Sequence, residues 1–170
     1  MTSLVLSIIG EDRPGLVSSI SQCVTDCGAN WLDSRMSSLA GKFAGILLID
    51  APEARTDELI HALRALERQG LQLLIQRGSA QSAAGEGRTL RLDLTGQDRP
   101  GIVREISDTL ARRKVSIEEM ETAFYSGSFS GEGMFELHAR LRVPAELPDG
   151  ALRQALEALS QSLMVDISLD

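Results

Sequence analysis

The 170-residue sequence predicts an α+β fold made of two copies of one β-α-β-β-α-β unit. Three observations lead there. An eight-residue segment recurs at a fixed offset, a polar glycine-rich stretch separates the two occurrences, and the hydrophobic period switches in the same order on both sides of that stretch.

The repeat is direct. Gly10-Glu11-Asp12-Arg13-Pro14-Gly15-Leu16-Val17 returns as Gly96-Gln97-Asp98-Arg99-Pro100-Gly101-Ile102-Val103, 86 residues further on. Leu4, Leu6, Ile20 and Ser21 also have identical partners, so ten of eighteen positions match at that offset. Residues 78–87 hold no apolar side chain larger than alanine. They read as a linker with a reach of roughly 15–20 Å. The expected domains are therefore residues 1–77 and 88–170.

Each element follows from local pattern. Leu4, Leu6 and Ile8 alternate as a strand does, and Leu90, Leu92 and Leu94 repeat the alternation. Leu16, Val17, Ile20, Val24 and Cys27 then fall on one helical face, as do Ile102, Val103, Ile106 and Leu110. Pro14 and Pro100 suit the first helical position, where a missing N–H costs nothing. Two strands come next: Asn30 to Ser38 and Phe43 to Asp50, turning near Ala40-Gly41. Their counterparts run from Val115 to Tyr125 and from Gly133 to Val143, joined by a longer Ser/Gly-rich turn. A second helix carries Leu59, Leu63 and Leu66, or Leu152, Leu156, Leu159 and Leu163. Leu71-Leu73-Ile75 and Val165-Ile167-Leu169 supply the closing strands. This is the ferredoxin-like arrangement, a four-stranded antiparallel sheet with two helices on one face. The other sheet face and the edge strands stay uncovered, so pairing between copies or between chains is expected.

Composition narrows the function. The chain is 43% hydrophobic and 24% charged, an ordinary globular balance. Its formal charge is −7, and residues 1–77 carry 7 basic against 9 acidic side chains, residues 88–170 10 against 14. The one basic run, Arg112-Arg113-Lys114, is too short for an operator-binding surface, so direct nucleic-acid binding is not expected. Met1 leads into a strand pattern without a basic leader segment, and no apolar run approaches the roughly 18 residues that span a bilayer. A soluble, cytoplasmic chain with reduced thiols is expected, with no membrane partner.

The Gly-x-Asp-Arg-Pro-Gly turn is the strongest candidate site. It joins a strand end to a helix N-terminus, where free N–H groups and the helix dipole favour an anionic group. Gly15 and Gly101 leave room for close approach. Asp12 and Asp98 can receive an ammonium group, so a small zwitterion could be held at both ends. A purely structural reading stands beside this one: Asp12 caps the helix, Pro14 starts it and Gly15 relieves crowding.

Other constellations are weaker. His61 and His138 are isolated and make no metal site. Cys23 and Cys27 read as small buried hydrophobes rather than a redox pair. Glu118, Glu119 and Glu121 read as a solvated strand face. No phosphate-binding loop and no nucleophile elbow occurs. Neither enzyme activity nor a cofactor is expected.

Two β-α-β-β-α-β units, each with a Gly-x-Asp-Arg-Pro-Gly-[Leu/Ile]-Val turn, resemble tandem ACT domains, regulatory modules that commonly bind amino acids at domain interfaces. With two such units spanning Ser3 to about Leu169, the chain resembles the glycine cleavage system transcriptional repressor family. The resemblance implies ligand contacts from Gly10, Asp12, Arg13, Pro14, Gly15, Leu16 and Val17, with Asn30 at the start of the second strand. The equivalent second set is Gly96, Asp98, Arg99, Pro100, Gly101, Ile102, Val103 and Ser116. Serine in place of asparagine makes the first set the better candidate. The resemblance also implies contact with a transcriptional activator as its protein partner, relieved by glycine. The uncovered sheets imply a homo-oligomer such as a dimer, and the turn's chemistry a small amino acid, glycine or serine. The alternative is an amino-acid-sensing regulatory subunit that modulates a metabolic enzyme.

Overall fold

The computed structural model describes residues 1–78, 87–126 and 131–170. Residues 79–86 of the expected linker, and 127–130 of the Ser/Gly-rich turn, lie outside the described residues. The chain divides into two compact units, Met1–Ser82 and Ala83–Asp170. In unit 1, β1 (Thr2–Glu11), α1 (Leu16–Asp26), β2 (Asn30–Leu39), β3 (Lys42–Ala51), α2 (Thr56–Ala65) and β4 (Gln72–Arg77) follow in order. Unit 2 repeats the series with β5 (Gly87–Gln97), α3 (Ile102–Ala111), β6 (Ser116–Ser126), β7 (Gly133–Pro144), α4 (Asp149–Leu163) and β8 (Val165–Leu169). Strand order is β2-β3-β1-β4 in one sheet and β6-β7-β5-β8 in the other. Every pairing is antiparallel. The fold is α+β and ferredoxin-like, twice over.

Alternation along the strands divides each sheet into two faces. Leu4, Leu6 and Ile8 of β1 meet Leu47 and Ile49 of β3 beneath the helices, and all are buried. Leu92 and Leu94 with Leu137 and Leu141 do the same in unit 2. The helices contribute Leu16, Ile20 and Val24, or Ile102, Ile106 and Leu110, one residue per turn. Val17 and Val103 were expected on the same inward face, but they are 43% and 37% exposed. One residue past Leu16 or Ile102, the helix has turned about 100°, which carries the valine out of the core.

The helix start also differs from the expectation. Pro14 and Pro100 are not the first helical residues; α1 and α3 begin two positions later, at Leu16 and Ile102. Gly15 has φ 92° and ψ −4°, and Gly101 φ 97° and ψ −4°. Proline followed by such a glycine has the signature of the central pair of a type II turn. The glycines are required by that left-handed backbone. A Cβ at Gly15 would meet nothing within 4 Å, so crowding is not the reason.

Gly10 and Gly96 are required by close packing instead. A Cβ on Gly10 would lie 2.9 Å from Leu71 Cδ2 and 3.1 Å from the Gly70 carbonyl oxygen. On Gly96 it would lie 2.4 Å from Val165 Cγ1. Both glycines let the first strand of the unit pass against the chain entering its last strand.

Candidate ligand-binding turns

The two turns share a frame. The Asp12 N–H donates to the Gly41 carbonyl at 2.9 Å, and the Asp98 N–H donates to that of Gly133 at 2.8 Å. Each turn is thereby tied to the hairpin beside it and presents the first turn of its helix, whose N–H groups have no intrahelical acceptors. Neither helix has a side-chain cap. Asp12 therefore does not cap α1, as the structural reading of the turn required.

Their side chains differ. In unit 1 the Asp12 carboxylate accepts a hydrogen bond from Ser38 Oγ at 2.6 Å. Arg13 Nη2 donates to the Gln69 carbonyl at 2.8 Å. Both charged groups of the first turn are thus engaged by their own unit. Leu16 is in the core, Gly10 is in the sheet, and Pro14, Gly15 and Val17 are exposed at the helix N-terminus.

The register separates Asn30 from this turn. Asn30 pairs with Asp50, and Asp50 pairs with Ser3 near the start of β1. Glu11, beside the turn, lies eight residues further along that strand, about 26 Å away. Asn30 and Asp12 therefore lie at opposite ends of the unit 1 sheet. Ser116 stands in the same relation to Asp98, because it pairs with Arg142 opposite Thr89.

In unit 2 no donor reaches the Asp98 carboxylate among the described residues. An open cavity of about 520 Å³ lies here, lined by Asp98, Arg99, Gly101, Ile102, Val103, Arg104 and Phe135. Arg99 Nη2 bonds Glu105 Oε1 at 3.3 Å, while its Nε is buried without an acceptor. Phe124 pairs with Phe135 where unit 1 pairs Ser38 with Phe43. The hydroxyl that engages Asp12 thus has no equivalent beside Asp98. Arg104 and Phe135 escaped the sequence reading. Phe135 lies on the third strand, outside any local motif, and only strand pairing brings it to Gly96.

The remaining candidates have ordinary surroundings. Cys27 is buried and Cys23 partly so, and burial raises both thiols above their usual range. Neither is poised as a thiolate nucleophile. His61 is exposed, and His138 hydrogen-bonds Asp93 on the sheet surface. Glu118 and Glu119 are ion-paired with Arg140, and Glu118 also with Arg142. Among the described residues no group of three His, Cys, Asp or Glu side chains could hold a metal ion. None of their helices is long and apolar enough to cross a membrane.

Fold and turn together define a class: a duplicated ferredoxin-like module with an anion-suited helix N-terminus in each copy. A family model for the ACT domain matches residues 2–76 and 88–170, and the chain belongs to that family. It is 24% identical over 169 residues to the glycine cleavage system transcriptional repressor of Escherichia coli, covering 98% of this chain and 88% of that one. A UPF0237 protein of Methanocaldococcus jannaschii is 36% identical over 76 residues, which is 45% of this chain and 83% of its own. Among solved structures, a protein of unknown function from Galdieria sulphuraria superposes with a TM-score of 0.87 at 32% identity, covering 99% and 97% of the two chains. A protein provisionally named a glycine cleavage system transcriptional repressor superposes with a TM-score of 0.72 at 23% identity, covering 99% and 96%.

Proposed function

We propose that this protein is a non-catalytic, amino-acid-responsive regulator that represses glycine cleavage by contacting a transcriptional activator. The full-length similarity to the Escherichia coli repressor supports the regulatory part. The observation that carries the ligand part is the second turn. There a carboxylate with no hydrogen-bond donor among the described residues, an unsatisfied guanidinium nitrogen and a helix N-terminus surround one cavity. A zwitterion fits that set: its carboxylate to the α3 N–H groups and Arg99, its ammonium to Asp98. The resemblance favours the first turn through Asn30, whereas the Asp98 carboxylate, without a donor among the described residues, favours the second. Glycine has five heavy atoms, so its affinity is bounded at about 7.5 kcal/mol, no tighter than micromolar.

The −7 charge and the dispersed arginines support action through a protein rather than on DNA. A gel shift on a glycine cleavage promoter tests this. The protein alone should leave the DNA unshifted, retard an activator–DNA complex further, and lose that effect when glycine is added. Specific retention without the activator contradicts the proposal.

A further inference from the structure

The arginines of the two turns hold different partners. Arg13 gives its Nη2 to the Gln69 carbonyl at 2.8 Å, and α1 has no acidic residue in its first turn. Arg99 turns instead toward its own helix, where Nη2 reaches Glu105 Oε1 at 3.3 Å. Glu105 lies in the first turn of α3, at the position that Ser19 holds in unit 1. Its Oε1 is 3.9 Å from where a Cβ on Gly101 would stand. A carboxylate of the chain itself thus sits beside the left-handed glycine, against the cation of the cavity.

That ion pair is incomplete. Nε and Nη2 form one edge of a guanidinium, which matches the two oxygens of a carboxylate. Arg55 and Glu58 show the completed form in this chain, with Nε and Nη2 each donating to a Glu58 oxygen, at 2.9 and 2.8 Å. At Arg99 the Nη2 contact is longer, and Nε is buried with no acceptor among the described residues. The Glu105 side chain is 43% exposed, so it can move into solvent with little loss.

We infer that Glu105 is a specificity-determining residue of the unit 2 cavity: it holds Arg99 in reserve and yields that edge to the carboxylate of an amino acid. The inference rests on the amino-acid reading of the cavity and names what sets its affinity and selectivity. An incoming carboxylate takes both Nε and Nη2, where Glu105 takes one, so the exchange is favourable. The need to displace Glu105 lowers the apparent affinity by the fraction of time the edge is free. Charge then decides which ligands enter. Arg104, the other cation lining the cavity, is paired with Asp108 at 3.7 Å. Arg99 is therefore set against two carboxylates, those of Asp98 and Glu105. A ligand that brings an ammonium group balances the surplus, and one with excess negative charge is repelled. The cavity selects a neutral zwitterion over a phosphate or a dicarboxylic acid.

Amide NMR titrations of the full chain with glycine and, separately, with inorganic phosphate test this, read at the N–H groups of Ile102, Val103 and Arg104. Glu105→Ser, which installs the unit 1 residue, should bind glycine at least ~5-fold more tightly than wild type. Glu105→Gln, which keeps the shape and removes the charge, should change affinity in the same direction. Phosphate should leave the wild-type signals in place and shift them in both variants. Glu157→Gln, at an exposed acid on α4, should behave as wild type and so separates local competition from overall charge. Variants that respond to phosphate but not to glycine would refute the amino-acid reading and leave Glu105 as the guard of an anion site. Glycine binding that is equal with and without the Glu105 carboxylate, or phosphate that shifts neither variant or shifts wild type as strongly, would overturn the inference.

Discussion

Unit 1 and unit 2 agree wherever folding is concerned and disagree wherever solvent or a partner is concerned. Their strand orders correspond, and the register shift between Trp31 and Asp33 recurs between Ile117 and Glu119, 86 residues on. Both start the first helix with a left-handed glycine and press a second glycine against the last strand. Yet the first turn ties up its charges internally, while among the described residues no donor reaches Asp98 of the second, beside a cavity. One outer sheet face exposes Ile9, Ile46 and Leu74, and the other is ionic. The lesson is that duplication preserved the positions that dictate backbone geometry and released the rest. Recurrence of the turn motif is therefore evidence about folding, and what distinguishes the copies is evidence about function.

The largest expected break in that comparison is at the packed glycines. Gly96→Ala would force a methyl group into the buried side chain of Val165, and about 2–3 kcal/mol of stability should be lost. Gly10→Ala should lose less, about 1 kcal/mol, because the nearest atom is the movable end of Leu71. Urea unfolding measures both, and equal losses would contradict the packing argument. Next come Gly15→Ala and Gly101→Ala, each about 1–2 kcal/mol from left-handed strain. The two losses should agree within about 0.5 kcal/mol, since neither methyl group meets a hard contact. If the Gly15 loss were negligible, the type II turn would not be the reason for that glycine.

The smallest expected effect is acid-dependent and confined to unit 2. The His138 hydrogen bond, aided by Arg91, lowers the Asp93 carboxyl below its ordinary value, while burial opposes it. A depressed folded pKa stabilises the protein above the unfolded value, near 4, and that contribution disappears as pH falls through the folded pKa. The stability gap between wild type and Asp93→Asn should therefore be larger at pH 7 than at pH 2.5. A gap independent of pH would show that the pair contributes nothing electrostatic. Ser7, its counterpart in unit 1, has no such titration.

Much of this was legible in the sequence because the fold is written in periodicities that the repeat doubles. Leu4-Leu6-Ile8 and Leu90-Leu92-Leu94 identified the central strands, and the glycine-bounded turn marked where each helix begins. What escaped depended on long-range pairing. The resemblance grouped Asn30 with the turn, but antiparallel register carries it to the far end of the sheet. Phe135 reaches the second turn only through its pairing with Gly96. Val17 was misplaced for a local reason: it lies one residue, about 100° of helix, past the buried Leu16, and so faces out of the core.

The account turns on Asp98 as the ammonium partner of a small amino acid, and calorimetry with glycine and serine tests that most directly. Wild type should give saturable heat at millimolar ligand, Asp98→Ala should weaken binding at least ~10-fold, and Asp12→Ala less than about 3-fold, a charged hydrogen bond contributing about 1.5–3 kcal/mol. The contrast follows from the Ser38-bound carboxylate in unit 1 and the one in unit 2 that no donor among the described residues reaches. Absence of heat with either amino acid, or a loss as large in Asp12→Ala as in Asp98→Ala, would contradict it.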